Sequence, residues 1–464
     1  MQELLSASGY RLVEWDRPAD VRVINTCTVT AKSDRTCRRE IRLAKRLDPG
    51  CVVAVTGCYA QVDPDAVAAI TGVDLVLGNI DKLRLGQHLG EHLALRSTER
   101  AAAGPSTAPT PGGARPGEAC SDTTPTSVSE AAVAPASVSV SPYSDHPDFE
   151  GEFFTHFYGY TRAFLKIQTG CDSRCAYCII PWARGPARSM PKAGVLEQVR
   201  LLAARDYQEV VLTGIDLGSW GKDSGDGSLA DLVALLVENG DASRYRLSSI
   251  EPMELDDALL DVIEEAGDRV ARHLHLPLQS GSDPVLGRMG RPYTAAEYLD
   301  VVTRLVRRFP DAAIGADVIV GFPGETDREF EQTLLFVEHA PLTYLHVFSY
   351  SDRPGTRASL MEPKVRPETI HERSLRLREL GERKNALFRG RLAETEQRAL
   401  VLRERTADGL LVGLTGNYQE VLVKGDEALM NQFVWVRMRQ PLLDGRWETG
   451  LVRKEPLVRR ELSV

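Results

Sequence analysis

The chain has 464 residues, of which 43% are hydrophobic and 26% are charged, and its formal net charge is −9. This length exceeds the span over which one hydrophobic core usually grows, so we expect two or three domains. The composition is that of a globular protein, and no apolar run is long enough to cross a bilayer, so the sequence predicts no membrane role.

The first domain is predicted over residues 1–97. Short apolar runs at 20–24, 51–55 and 74–77 alternate with helical stretches, a pattern typical of a small parallel α/β layer. Cys27 and Cys58 each come just after one of these strands. Because open α/β sheets bind ligands at the carboxyl ends of their strands, we expect the two thiols to share a site.

A basic helix is predicted from Lys32 to Arg46. Its cationic side chains recur every three or four residues and so form one stripe, which contains Arg35, Arg38, Arg39, Arg42, Lys45 and Arg46. Such a stripe is either a solvated helix face or a surface that holds an RNA backbone, and both interpretations stay open at this stage.

A linker is predicted over residues 98–150. Of the 40 residues from 101 to 140, 31 are Ala, Pro, Ser, Thr or Gly, and none is Leu, Ile or aromatic. Such a composition cannot build a core, so we expect a disordered, semi-extended segment. Cys120, which lies within it, is expected to have no ligand role.

The central domain is predicted over residues 151–384, where a strand followed by a helix repeats six times. An eight-unit barrel usually takes about 250 residues, so this length fits an incomplete parallel barrel of six units, a partial (βα)6 barrel. The predicted strands are 163–167, 209–212, 244–248, 273–276, 316–320 and 344–348.

The first barrel strand leads directly to a CxxxCxxC triplet formed by Cys171, Cys175 and Cys178. Three thiolates can hold three irons of a 4Fe-4S cluster and leave the fourth iron open to a substrate or cofactor. A structural zinc site is the main alternative, but such a site requires four ligands, and no fourth ligand lies within the next few residues. A disulfide would need an oxidising compartment, whereas the chain opens without a signal-peptide pattern, so we expect reduced thiols and a cytoplasmic protein.

Polar groups and glycine stand at the carboxyl ends of the later barrel strands, where active sites of such barrels lie. Gly214 would let a cofactor approach the backbone closely. The others are expected either to line the barrel mouth or to satisfy the loop backbone, and they are Thr213, Ser249, Glu251 and Gln279.

The last domain is predicted over residues 385–455. Five short strands at 399–402, 410–413, 420–423, 433–436 and 447–451 are separated by turn residues, which predicts a small antiparallel β-barrel. Strand spacing alone names no ligand, so a barrel that only packs against the central domain is an open alternative to a binding module.

Together these motifs resemble the radical SAM superfamily, and within it the methylthiotransferase family. The CxxxCxxC triplet after a first barrel strand carries the first resemblance, and the segments around Cys27 and Cys58 carry the second. The resemblance implies that the triplet binds the catalytic 4Fe-4S cluster and that Cys27 and Cys58 are ligands of a second 4Fe-4S cluster. It also implies that the C-terminal barrel is similar to the RNA-binding TRAM domain.

The resemblance further assigns roles around the barrel mouth. Thr213 and Gly214 are expected to contact the amino group of S-adenosylmethionine. Ser249 and Glu251 are expected near its ribose or methionine part, and Gln279 on the substrate side. Tyr177, in the middle of the triplet, is expected to shield the cluster from water.

The activity implied is methylthiolation of tRNA with two molecules of S-adenosylmethionine. One donates methyl to a sulfur associated with the second cluster, and the other is cleaved by one electron to a radical that abstracts hydrogen. The sequence segments around the cysteines most resemble those of the enzymes that act at carbon 2 of N6-threonylcarbamoyladenosine beside the anticodon. Isopentenyladenosine in tRNA and a ribosomal protein are the alternative substrates, and a flavodoxin or ferredoxin is the expected electron donor.

One departure from the family concerns the first cluster cysteine, which lies in a Gly-Cys-Lys-Val-Asn-like segment before the helix represented here by residues 1–9. The sequence begins inside that helix. We expect a translation start upstream of Met1; the alternative is an iron–sulfur RNA-binding protein that no longer catalyses.

Overall fold

The computed structural model describes residues 1–102, 135–145, 148–149, 155–157 and 159–455. The chain divides into two compact units. The first comprises Met1–Thr28 and Lys32–Ser141, and the second comprises Val29–Ala31 and Pro142–Val464.

The first unit is built on a parallel sheet of order β1-β2-β3-β4. Its strands are β1 (Val21–Thr26), β2 (Val52–Gly57), β3 (Leu75–Leu77) and β4 (Ser137–Ser139). Its helices are α1 (Gln2–Ala7), α2 (Ala31–Leu47), α3 (Cys58–Val62), α4 (Pro64–Ala68) and α5 (Leu85–Ala102). Every residue of β2 is buried because this strand lies inside the sheet with both faces covered. The predicted parallel α/β layer is confirmed.

Strand β4 falls within the segment predicted as a linker, 98–150. Leu75 pairs with Ser137 and Leu77 with Ser139, so three residues of that segment extend the sheet. A strand this short, with Ser on either side of Val138, has no hydrophobic pattern to distinguish it from a linker. Helix α5 also runs five residues beyond the predicted domain end at residue 97. Residues 103–134, including Cys120, lie outside the described residues.

The second unit begins with six parallel strands that form the predicted partial barrel. They are β5 (Ala163–Lys166), β8 (Glu209–Thr213), β9 (Arg244–Leu247), β10 (His273–His275), β11 (Ala313–Val320) and β12 (Tyr344–Ser349). Three strands form each of two sheets, β5-β8-β9 and β10-β11-β12, and an isolated parallel bridge pairs Tyr245 of β9 with Val270, three residues before β10. Within the described part of the chain no pairing closes β12 onto β5, so the barrel is open.

Helices alternate with these strands along the chain and follow the last one. They are α6 (Ile180–Arg184), α7 (Lys192–Ala204), α8 (Leu229–Asn239), α9 (Asp257–Ala266), α10 (Asp283–Met289), α11 (Ala295–Arg308), α12 (Asp327–His339) and α13 (Pro367–Leu392). A two-stranded pair, β6 (Gln168–Thr169) and β7 (Arg188–Ser189), flanks the cysteine loop. Capping boxes begin α8, α11 and α12, at Ser228, Thr294 and Thr326.

The C-terminal strands form a closed barrel of order β13-β14-β15-β17-β16. They are β13 (Glu396–Arg405), β14 (Leu411–Thr415), β15 (Glu420–Val423), β16 (Phe433–Pro441) and β17 (Trp447–Lys454). The predicted small antiparallel barrel is confirmed, and one of its pairings departs from the antiparallel pattern, because β15 and β17 run parallel. Five strands cannot alternate in direction around a closed ring, so at least one neighbouring pair must be parallel.

A buried charge cluster joins the C-terminal barrel to the amino ends of β8 and β9. Glu209 has no exposed surface and pairs with Arg244 and Arg246, which donate to the backbone carbonyls of Leu414 (2.9 Å) and Thr415 (3.0 Å). Guanidinium groups can be buried here because a carboxylate and carbonyl oxygens satisfy their donors. The cysteine triplet, by contrast, follows the carboxyl end of β5.

Candidate functional site

The cysteine triplet occupies a tight loop between β6 and α6. Gly170, directly before Cys171, has φ +74°, and a Cβ there would lie 1.8 Å from the carbonyl oxygen of Pro186. The backbone N–H of Cys171 donates to the carbonyl of Gly185 at 3.2 Å. Only glycine fits at position 170, so the loop that presents the thiols depends on this residue.

The three thiols lie partly buried and have different neighbours. Cys171 Sγ lies 3.6 Å from a carboxylate oxygen of Asp216, while Cys175 Sγ accepts a hydrogen bond from Arg291 Nη1 at 3.2 Å. Burial raises the pKa of Cys171 to about 12 and that of Cys178 to about 11. Three soft donors on one loop fit an iron–sulfur cluster, whose binding would displace the thiol protons.

Gln168 ties this loop to the segment after β8. Its Oε1 accepts from the backbone N–H groups of Ile215 and Asp216, both at 2.9 Å, and its Nε2 donates to the carbonyl of Gly170 at 3.0 Å. This buried amide therefore fixes the position of Cys171 relative to Asp216. Sequence reasoning missed it, although a glutamine directly between a buried strand and the cysteine triplet was a usable signal.

Thr213 and Gly214 lie at the carboxyl end of β8, beside this loop. The Thr213 hydroxyl donates to the carbonyl of Leu165 at 3.1 Å, and Gly214 N–H donates to Ser248 Oγ at 3.3 Å. Addition of a Cβ at Gly214 would bring it to 3.0 Å from Gln168 Oε1. The structure thus brings Gly214 next to Gln168, while the Thr213 hydroxyl joins the neighbouring strands β5 and β8.

Glu251 lies on the cysteine side of the barrel mouth, since Arg291 bridges it to Cys175. Burial raises the pKa of Glu251 even though Arg291 opposes the shift. Tyr177 is half-buried and packs against a small apolar cluster that includes Phe322 and Met289. Of the predicted residues, Glu251 and Tyr177 therefore lie with the triplet.

Ser249 and Gln279 lie instead beside a pair of histidines, His275 and His346, and Asp317. Ser249 Oγ is 2.8 Å from His275 Nδ1, and Asp317 Oδ1 lies 3.1 Å from His275 Nε2 and 3.3 Å from His346 Nδ1. Burial by itself would raise the pKa of Asp317, but the two imidazoles outweigh it and lower the pKa to about 2.

Gln279 joins this group through its backbone, which adopts φ +65°. Its N–H donates to the carbonyl of Asp317 at 2.8 Å, and its carbonyl accepts from Ile319 N–H at 2.9 Å. His275 and Asp317 occupy β10 and β11, and no sequence motif marks their proximity, because it arises from strand register across the barrel.

Cys27 and Cys58 follow the carboxyl ends of the neighbouring strands β1 and β2 in the first unit. Each directly follows one member of the paired residues Thr26 and Gly57. Gly57 has φ +103°, and a Cβ there would lie 2.3 Å from the Thr26 carbonyl oxygen, so glycine again precedes a cysteine where only it fits. Cys27 is exposed and Cys58 is buried, with Asn79 Nδ2 3.9 Å from Cys58 Sγ.

Comparison with known proteins identifies the class. Residues 165–337 match the radical SAM superfamily model, and residues 1–78 match the model of uncharacterized protein family UPF0004. A solved radical S-adenosylmethionine methyltransferase, TsrM from Kitasatospora setae, shares the fold with a TM-score of 0.50 and 18% identity, over 77% of this chain and 68% of that one.

Curated relatives narrow the class to a family. Threonylcarbamoyladenosine tRNA methylthiotransferase MtaB of Bacillus subtilis is 36% identical over 94% of this chain and 89% of its own length. The MtaB protein of Aquifex aeolicus is 38% identical over 90% of each chain. The tRNA-2-methylthio-N(6)-dimethylallyladenosine synthase of Geobacillus thermodenitrificans is 31% identical over 95% of this chain and 78% of its own length. The chain therefore belongs to the radical SAM tRNA methylthiotransferase family, whose enzymes use S-adenosylmethionine and 4Fe-4S clusters.

Proposed function

We propose that this enzyme methylthiolates carbon 2 of N6-threonylcarbamoyladenosine beside the anticodon of tRNA. The observation that carries the proposal is the similarity over nearly the full chain to relatives named for that substrate, at 36% and 38% identity. The dimethylallyladenosine synthases align over 95% of this chain and over 78% and 77% of their own length, at 31% identity, and they define the alternative substrate.

Cys171, Cys175 and Cys178 are proposed to hold the catalytic cluster, and Cys27 and Cys58 to contribute two ligands to a second one. When bound at the triplet, the cluster supplies the electron that cleaves S-adenosylmethionine. The residues grouped with the triplet would orient that cofactor. Gly214 offers a backbone approach without a side chain, and Glu251 offers a carboxylate to its amino group or its ribose.

Gln279 is proposed to act on the substrate side, as predicted. Ser249 was predicted near the cofactor, but we now propose it for the substrate side too, because it contacts His275, which adjoins Asp317. The low pKa of Asp317 keeps its carboxylate ionised at neutral pH. The carboxylate can then accept hydrogen bonds from the nucleobase of the substrate or from the threonylcarbamoyl group attached to that base. A cytoplasmic location and a flavodoxin or ferredoxin as electron donor complete the proposal.

The basic stripe on α2 and the C-terminal barrel are proposed to bind tRNA. In the structure two cations of the stripe already have partners within the first unit, since Lys45 pairs with Asp74 at 2.8 Å and Arg38 donates to the Tyr59 hydroxyl. Arg35, Arg42 and Arg46 are exposed on the helix, where they can meet phosphates.

The test is tandem mass spectrometry of tRNA nucleosides from a bacterial strain that lacks its own threonylcarbamoyladenosine methylthiotransferase. Expression of this protein should restore 2-methylthio-N6-threonylcarbamoyladenosine, and a Cys178→Ala variant should not. Methylthiolated isopentenyladenosine in a strain lacking the other enzyme would instead support the alternative substrate. Restoration of neither nucleoside by a protein that carries its clusters would overturn the proposal.

A further inference from the structure

Arg291 is a buried cation in direct contact with a proposed cluster ligand. It follows α10, and only 3% of its side chain is exposed. Its Nη1 donates to Cys175 Sγ at 3.2 Å, its Nη2 donates to the carboxylate of Glu251, and its Nε donates to the Tyr293 hydroxyl at 3.1 Å. All three nitrogens of the guanidinium thus have partners, and one partner is sulfur.

The guanidinium is held in this orientation by groups that are not cluster ligands. The Tyr293 hydroxyl donates in turn to the carbonyl of Pro277 at 2.8 Å, and the Arg291 guanidinium lies 5.0 Å from the centre of the Tyr293 ring. The Arg291 backbone N–H donates to the carbonyl of Leu286 at 2.9 Å. The donor is therefore fixed in advance, which limits the reorganisation needed when charge changes at the sulfur.

An N–H donor and a positive charge beside a ligand sulfur favour the more negative state of an iron–sulfur cluster. Reduction potentials of such clusters depend on hydrogen bonds to the sulfurs, on net charge and on solvent exposure. Burial makes the interaction stronger than it would be in water. Glu251 neutralises part of the charge but binds a different nitrogen, so the N–H that faces Cys175 remains directed at the sulfur.

We propose that Arg291 raises the reduction potential of the cluster on Cys171, Cys175 and Cys178, and so makes its one-electron reduction by a low-potential donor protein easier. This inference rests on the proposed assignment of those three cysteines as ligands. Arg291 is a positioning residue in this account, since it acts on the cluster through Cys175 and not on the substrate.

The test is a redox titration of the full chain without S-adenosylmethionine, in which electron paramagnetic resonance measures the amount of reduced cluster at each potential. A Cys27→Ala/Cys58→Ala background removes signal from a second cluster. Arg291→Met should keep iron and sulfide loading but reduce the ratio of reduced to oxidised cluster at least tenfold at a fixed potential. For a one-electron couple that ratio corresponds to about 59 mV.

Arg288→Met is the matched control, because Arg288 also pairs with a glutamate, Glu329 at 2.9 Å, and donates to the Gly324 carbonyl rather than to sulfur. Its potential should equal that of the parent. Arg291→Lys keeps the positive charge but lacks the planar guanidinium with its several N–H donors. The reduction potential of this variant should shift in the same direction as that of Arg291→Met, but by less.

An unchanged potential in loaded Arg291→Met would overturn the inference. Failure of both Arg291 variants to load, while Arg288→Met loads, would also overturn it and assign Arg291 to cluster assembly. A parent protein without iron would contradict the ligand assignment instead, so the two failures are distinguishable.

Discussion

Removal of the Glu209 carboxylate should destabilise the second unit strongly. Glu209 has no exposed surface and pairs with Arg244 and Arg246, which are exposed by 1% and 2% of their side chains. Burial by itself would raise the pKa of Glu209, but the arginines outweigh it and lower the pKa well below the usual range, so the residue is ionised at neutral pH. Glu209→Ala leaves two buried cations without a counter-charge.

Loss of one partner of a buried ion pair typically costs about 3–5 kcal/mol, and we expect this range for Glu209→Ala. Glu396→Ala is the control. Glu396 pairs with Arg437 at 2.9 Å, and the Arg437 and Glu396 side chains are 53% and 33% exposed. Exposed ion pairs of this kind contribute about 1 kcal/mol or less to stability. The assay is urea unfolding followed by fluorescence of Trp220 and Trp447, which are buried in the parallel barrel and the C-terminal barrel. Equal losses of unfolding free energy in the two variants would show that the buried Glu209 pairs stabilise the fold no more than an exposed pair does.

Gly170→Ala should lose most of the iron bound at the triplet, because its Cβ would meet a carbonyl oxygen at 1.8 Å; full iron content in purified protein would contradict this. Burial lowers the pKa of His273 well below its ordinary value, so below about pH 6.5 the unfolded state takes up a proton that the folded state does not. Stability should therefore fall by up to about 1.4 kcal/mol per pH unit on acidification, and His273→Phe should remove that part of the slope in unfolding measured between pH 7.5 and 5.5. Replacing Arg35, Arg42 and Arg46 by Ala should weaken tRNA binding and flatten its dependence on salt concentration, and an unchanged salt slope would show that α2 does not contact phosphate.

The strands of both barrels could be predicted from the sequence, and the cysteine triplet indicated the radical SAM superfamily. Both were predictable because strand periodicity and cysteine spacing are local signals. Sequence reasoning missed β4, whose three residues resemble their Ser-rich surroundings. It missed the parallel pairing of β15 with β17 too, which follows from closing an odd number of strands.

Contacts between distant residues also escaped the sequence. Arg291 reaches a cysteine 116 positions away, and His275 meets Asp317 only because their strands are neighbours in the barrel. Gln168 was closer to the motif, yet its role depends on two backbone N–H groups that the loop after β8 turns toward it.

The proposed methylthiolation can be tested with reconstituted protein, S-adenosylmethionine, a chemical reductant and an anticodon stem-loop RNA whose N6-threonylcarbamoyladenosine carries deuterium at carbon 2. We expect a methylthiolated nucleoside and the appearance of deuterium in 5′-deoxyadenosine, with neither formed by the Cys178→Ala variant. Cleavage of S-adenosylmethionine by cluster-loaded protein without deuterium transfer, and without a methylthiolated product, would contradict the proposal.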